Sequence, residues 1–225
     1  EINKESNSII GYTNENLTNL GDNFLGYNEQ LSKLVAPNVT SIDDDVLANN
    51  KGLEEFEAPN LTKIGDNFLE YNEQLSKFNV PNVIYIGNSV LMLNKGLEKF
   101  EAPNLTEIGD DFLGDNKQLS KINVPNVTCI GNRVLGNNKK IEKFEAPNVE
   151  KIGSYFLRMN TKLSEFYVPN LSKESKENLE YVFSVVKENS KEGKTQNIDS
   201  TDIAKLDKKY NITTSEIKRS RKDVI

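Results

Sequence analysis

The chain reads as an α/β repeat solenoid. The predicted form is a right-handed superhelix with a parallel β-sheet on its concave face. Short turns, 3-10 or helical turns follow on the convex side, and a C-terminal helical cap closes the end. Two observations predict this. All seven prolines, Pro37, Pro59, Pro81, Pro103, Pro125, Pro147 and Pro169, stand 22 residues apart. Apolar residues return to the same places in each interval, and a fixed period of this length marks stacked repeats. Histidine is absent from all 225 residues. Its absence excludes a Ser-His-Asp triad, a Cys-His pair and any His-ligated metal site.

Aligned on proline, the rung reads L-x-x-F-x-A/V-P-N-L/V-T-x-I-G-D-N-F-L-x-x-N-x-x. Complete rungs begin at Leu31, Leu53, Leu75, Leu97, Leu119 and Ile141, a degenerate one at Ile9, and a further start at Leu163 breaks off. The opening L-x-x-L-x-L is a short strand with alternate residues turned inward, which proline ends because it has no N–H to give. Leu61, Ile64, Phe68 and Leu69 and their equivalents are expected to turn inward too. No rung buries these groups alone, so rungs must stack about 4.8 Å apart in a parallel sheet. A period of 22 is near the short end of the roughly 20–29 residues of leucine-rich repeats.

A second echo runs at 44 residues. Rungs at 53, 97 and 141 pair Ala with Phe (Ala58/Phe68, Ala102/Phe112, Ala146/Phe156), and those between pair Val with Val (Val80/Val90, Val124/Val134). One small and one large residue thus alternate with two medium ones, conserving volume; a duplicated two-rung unit explains the same pattern. Two asparagine columns, Asn38 onward and Asn28 onward, are expected to satisfy turn backbone groups. The Gly21–Gly153 column marks a turn, and the Asp or Asn after each glycine is expected to cap a short helical turn.

The stretches "EAPNLTKIGDNFLEYN" and "NVPNVIYIGNSVLMLN" resemble BspA-like leucine-rich repeats, whose pattern is I-P-x-x-V-x-x-I-G-x-x-A-F-x-x-C/N-x-x. The resemblance spans about residues 9–171. It departs in a rung one residue shorter than is frequent in that family, and in Phe-Leu or Val-Leu for the usual Ala-Phe. It implies a microbial surface or secreted protein that adheres to host proteins or other cells.

Three segments are expected: a lead-in over 1–8, the solenoid over 9–171, and a helical cap and tail over 172–225. At the front, Asn14 and Glu15 stand where Ala and Pro belong. At the back, Leu179, Val182, Phe183 and Val186 form one helical stripe, predicting an amphipathic helix over 173–189 against the last rung. Two short helices are expected in "DSTDIAKLDKKYN" and "TTSEIKRSRKDVI". A faint dockerin likeness there fails, because Lys191, Gly193 and Thr195 stand where calcium ligands belong.

Net charge is −6, which disfavours nucleic acid. Residues 1–171 carry 16 Lys/Arg against 24 Asp/Glu, and residues 172–225 carry 12 against 10. Cys129 is the single cysteine, so no internal disulfide forms. No apolar run reaches the ~18 residues of a membrane span. Nothing from Glu1 onward reads as a secretory leader, so any address signal is expected upstream. Seven N-x-S/T sequons, such as Asn16 and Asn60, arise mostly from the repeated P-N-L-T.

Outward strand residues are the candidate binding face. One column reads Lys33, Glu55, Lys77, Lys99, Lys121, Lys143, Glu165; the other Val35, Glu57, Asn79, Glu101, Asn123, Glu145, Tyr167. Their charges are +3 and −3, a banded neutral face suited to a polar protein surface. Ile84, Tyr85, Met92 and Leu93 replace polar residues in one rung and suggest a small apolar patch for a partner or self-association. Asp43, Asp44 and Asp45 form the one tight acidic cluster, which a turn explains better than catalysis. The expected function is a non-enzymatic protein-binding module, without cofactor or metal, extracellular or cell-surface, and monomeric. The alternative is an effector scaffold that binds through its C-terminal helices.

Overall fold

The computed structural model describes residues 2–3, 8–9 and 11–191. The two helices expected beyond residue 197 and the basic terminus lie outside the described residues. Every rung but the last, which passes from its first strand into the helices, contributes two strands and a turn segment. Three-residue strands run from Gly11–Thr13 and Lys33–Val35 to Glu165–Tyr167, each middle residue pointing inward. Two-residue strands, from Asn19–Leu20 to Lys151–Ile152, form a continuous seven-stranded parallel sheet. Pairing advances by one repeat, as in Leu34 opposite Phe56 and Ile42 opposite Ile64. At the front, Ile2–Asn3 pairs antiparallel with Ser8–Ile9.

Of the forms expected for the convex side, turns are what the chain adopts. Three residues per rung take positive φ in alternation, for example Asn67 (56°), Leu69 (55°) and Tyr71 (59°). Alternation aims successive amides in opposite directions along the stack. The Asn67 and Tyr71 N–H groups donate forward to Asn88 and Met92 carbonyls (2.8 and 3.0 Å), and Leu69 donates back to Val46 (3.1 Å). A helical turn would spend these groups within its own rung. Left-handed backbone costs a leucine roughly 1–2 kcal/mol. A ladder on both sides holds it in place.

Glycine and its follower also act between rungs. A Cβ on Gly131 would sit 2.5 Å from Asp110 Oδ1 and 2.6 Å from the Gly109 carbonyl carbon. The glycine column therefore permits close rung-to-rung approach. The following Asp or Asn does not cap its own turn as expected. Asp44, Asp66 and Asp110 Oδ1 each accept the N–H one rung ahead, from Asp66, Asn88 and Asn132 (all 2.7 Å).

Both asparagine columns are structural. The inner one (Asn50, Asn72, Asn94, Asn116, Asn138, Asn160) is fully buried. Each Nδ2 donates to a leucine carbonyl of the preceding rung, as Asn116 does to Leu91 (2.8 Å). From Asn60 on, the outer column donates to the preceding rung's proline carbonyl, as Asn126 does to Pro103 (2.8 Å), and Asn38 donates to Glu15 O, which stands at that place in the first rung. The inward columns form one core in which Phe56, Phe78 and Phe100 stack at 5.8 and 6.0 Å. Phe68 and Phe112 meet Phe56 and Phe100 edge-on at 5.0 Å. Ala58/Phe68 and Val80/Val90 are all buried, as volume matching requires.

The 44-residue echo has a further consequence. The three-residue strands form not one sheet but groups of four, two and two. Ala36, Ala58, Ala102 and Ala146 donate their N–H to the next rung (2.9–3.2 Å). The ladder lapses after the rungs carrying Val80 and Val124 instead. Like charge alone does not cause this, because Lys99 and Lys121 face each other in a paired register.

After the last strand, Ser172 N-caps α1 (Lys173–Glu177), and α2 (Glu180–Lys191) follows. The single helix expected over 173–189 is thus divided near Asn178, which ends α1. Leu179, Val182 and Val186 are buried and Phe183 meets Phe166 edge-on at 5.8 Å. Polar side chains meet the open backbone. Ser175 Oγ accepts from Ile152 N–H (3.0 Å), Asn178 donates to Ile152 O (2.8 Å), Tyr181 Oη accepts from Met159 N–H (3.1 Å) and Asn189 donates to Leu163 O (2.7 Å).

Candidate protein interface

Period-two alternation within each three-residue strand turns its flanking residues outward. Lys33, Glu55, Glu57, Lys77, Asn79, Lys99, Glu101, Lys121, Asn123, Lys143, Glu145 and Tyr167 accordingly share one face. Glu55 and Glu57 are half-buried and the other ten exposed. The charges are largely spent on one another. Glu55 bridges Lys33 (2.5 Å) and Lys77 (3.4 Å), Lys143 bridges Glu145 (2.9 Å) and Glu165 (3.3 Å), and Lys99 meets Glu101 (3.4 Å). The hydrogen bond from Lys33 holds the Glu55 carboxyl below its ordinary range, and the bonds to Glu145 and Glu165 raise Lys143. Exposed pairs like these stabilise the fold little. They leave the face neutral and polar, with Tyr167, 53 % exposed, at its end.

The four apolar candidates occupy two places. Ile84 and Tyr85 stand exposed beside the two-residue strand Tyr85–Ile86. Met92 and Leu93 are half-buried in the turn segment, where Met92 lies over Gly114. Asp43 to Asp45 likewise belong to the turn ladder. Asp44 receives the Asp66 N–H and Asp45 the Asn67 amide (3.1 Å).

The turn segments carry further exposed side chains that sequence reading missed. Tyr27, Tyr155 and Met159 are 76, 58 and 49 % exposed, and the Arg158 guanidinium lies over the Tyr155 ring at 5.1 Å. The signal was the departure of "GSYFLRMN" from its sister segments. Without the alternating backbone, nothing in the sequence said which of these residues point outward.

One carboxylate on this side is perturbed. Burial pushes the Glu70 carboxyl up, helped by the negative charges of Asp45 and Asp111. A raised folded-state value means the native state binds the proton more tightly than the unfolded chain. Its stabilisation is present below the unfolded value and is lost as pH rises through the folded one. Glu70→Gln is therefore expected to raise stability at neutral pH and to flatten the fall in stability above pH ~4.5. Denaturant midpoints of both proteins across pH 4–8 check this; parallel curves would refute the assignment.

Two parallel ladders, a turn ladder and a shared core define a β-solenoid of the leucine-rich-repeat class. The BspA type leucine rich repeat region matches this chain as six copies over residues 7–98 and 86–199. The chain belongs to that family. No curated protein sequence matches it. Among solved structures, it is similar to a leucine rich cell surface protein from Faecalibacterium prausnitzii A2-165, with a TM-score of 0.64 and 17 % identity. The match covers 74 % of this chain and 51 % of that one, so this chain spans about half that protein's length. The likeness carries the fold.

Proposed function

We propose that this is a non-enzymatic adhesion module, secreted or held at a microbial cell surface, that binds a protein partner through the face of its three-residue strands. In this reading the solenoid is right-handed, that face is concave, and the two helices close its end. The observation that carries it is the single outward face built from twelve side chains and Glu165 on successive strands, its charges balanced and most of them already paired with one another. Such a surface loses little on meeting a polar partner and orders no loop in doing so. The family and the cell-surface neighbour support interaction over catalysis.

The test is a variant carrying Lys99→Glu, Lys121→Glu, Glu101→Lys and Glu145→Lys, assayed on immobilised extracellular-matrix proteins. Capture by the parent chain is expected to be lost, with circular dichroism unchanged. Full retention of capture by this variant would sink the reading. Loss on deletion of residues 190–225 would instead favour binding through the C-terminal helices.

A further inference from the structure

The turn side of the solenoid is charged unequally along its length. The turn segments 21–28, 43–50, 65–72, 87–94 and 109–116 hold nine Asp/Glu and no Lys or Arg. Segments 131–138 and 153–160 hold Arg133 and Arg158 and no acid. The rungs as a whole follow the same division. Residues 11–118 carry seven Lys/Arg against eighteen Asp/Glu, and residues 119–171 carry eight against four. One side of one molecule thus presents an acidic stretch and a basic stretch.

The ladder does not require this. Positions equivalent to Arg158 hold Gly26, Ala48, Glu70, Met92, Gly114 and Gly136. Arg133 already pairs with Asp111 through two bonds of 2.7 and 2.6 Å. Arg158 has no carboxylate partner within ion-pair distance among the described residues; it rests on Tyr155, beside exposed Met159. Tyr, Met and Arg are the residues enriched at protein interfaces. The middle one of the seven segments, 87–94, is uncharged, with Met92 and Leu93 half-buried on the turns.

We propose that the turn sides of two copies of this chain pair antiparallel about a two-fold axis. The Arg133–Arg158 end of each copy then lies over the acidic front rungs of the other, with Met92 and Leu93 near the axis. A two-fold interface uses the same patch twice, so opposite charge at its two ends and apolar residues at its middle are what self-complementarity demands. Parallel pairing would set like charge on like charge along the whole length, whereas here only segments 65–72 and 109–116 face each other as acids. This surface is separate from the three-residue strand face and leaves that face open.

The test is sedimentation velocity on the full chain at low and high salt. A dimer at low salt, weakened about tenfold or more at high salt, is expected because such pairs are screened. Arg133→Glu with Arg158→Glu is expected to weaken association at least about tenfold with unchanged circular dichroism. Mixing that variant with one carrying Asp22→Lys and Asp43→Lys, the acids that face Arg158 and Arg133 across the axis, is expected to restore a mixed dimer. A chain monomeric at low salt at every concentration reached overturns the proposal. So does association indifferent to the arginine reversals, or the absence of a mixed dimer.

Discussion

Phe100→Ala is expected to lower the unfolding free energy by about 3–5 kcal/mol. Phe100 is 1 % exposed, stacks on Phe78 at 6.0 Å and meets Phe112 edge-on at 5.0 Å. Truncation removes its buried area and leaves a cavity that flanking ladders keep from collapsing. The position makes the loss more than local. Each rung touches only its neighbours, so stability is close to a sum of rung and interface terms. Phe100 sits where the three-residue ladder has already lapsed, between Lys77–Asn79 and Lys99–Glu101. Side-chain stacking there adds to the coupling of the two-residue sheet and the turn ladder, which run through unbroken. Urea denaturation followed by circular dichroism is expected to change from one transition to two. A single transition with a loss below about 1 kcal/mol would show that the stack does not couple the halves.

Asn116→Leu is expected to cost about 1–3 kcal/mol despite conserving volume. Asn116 is wholly buried, and its Nδ2 donates to Leu91 O (2.8 Å) and Gly114 O (3.0 Å). Leucine fills the space but leaves Leu91 O without that donor where water does not reach, while Gly114 O keeps the Leu93 N–H (2.9 Å). A buried acceptor left unmatched costs more than the net worth of a hydrogen bond. Asn104 is the control. It makes the analogous bond to Pro81 O (3.2 Å) from the surface, where water substitutes, so Asn104→Ala is expected to cost less than about 1 kcal/mol. Equal losses at both sites would show that the inner column is not the stronger one.

Much of this was legible in the residues. Proline spacing gave the period, and the columns through Leu53, Phe56 and Ala58 gave the strand and its inward side. The twelve outward residues followed from alternation. The turn segment was less legible. "GDNFLEYN" carries an Asp after Gly, which in one rung taken alone reads as a helix cap. Its partner is a backbone amide 22 residues on, which local pattern does not reveal. Leucine at positive φ is disfavoured by its own sterics, so no local preference points to Leu69 there. The separation of Ile84 and Tyr85 from Met92 and Leu93 was hidden for the same reason.

The sequence by itself determined the 22-residue repeat, the identity of the core columns and the polar strand face. These follow from periodicity, because burial of one face requires it. Only the tertiary structure decided the left-handed turn ladder, the lapses after Val80 and Val124, and which turn residues meet solvent. Those depend on where the neighbouring rung places its carbonyls and amides, a condition between rungs that no single rung encodes.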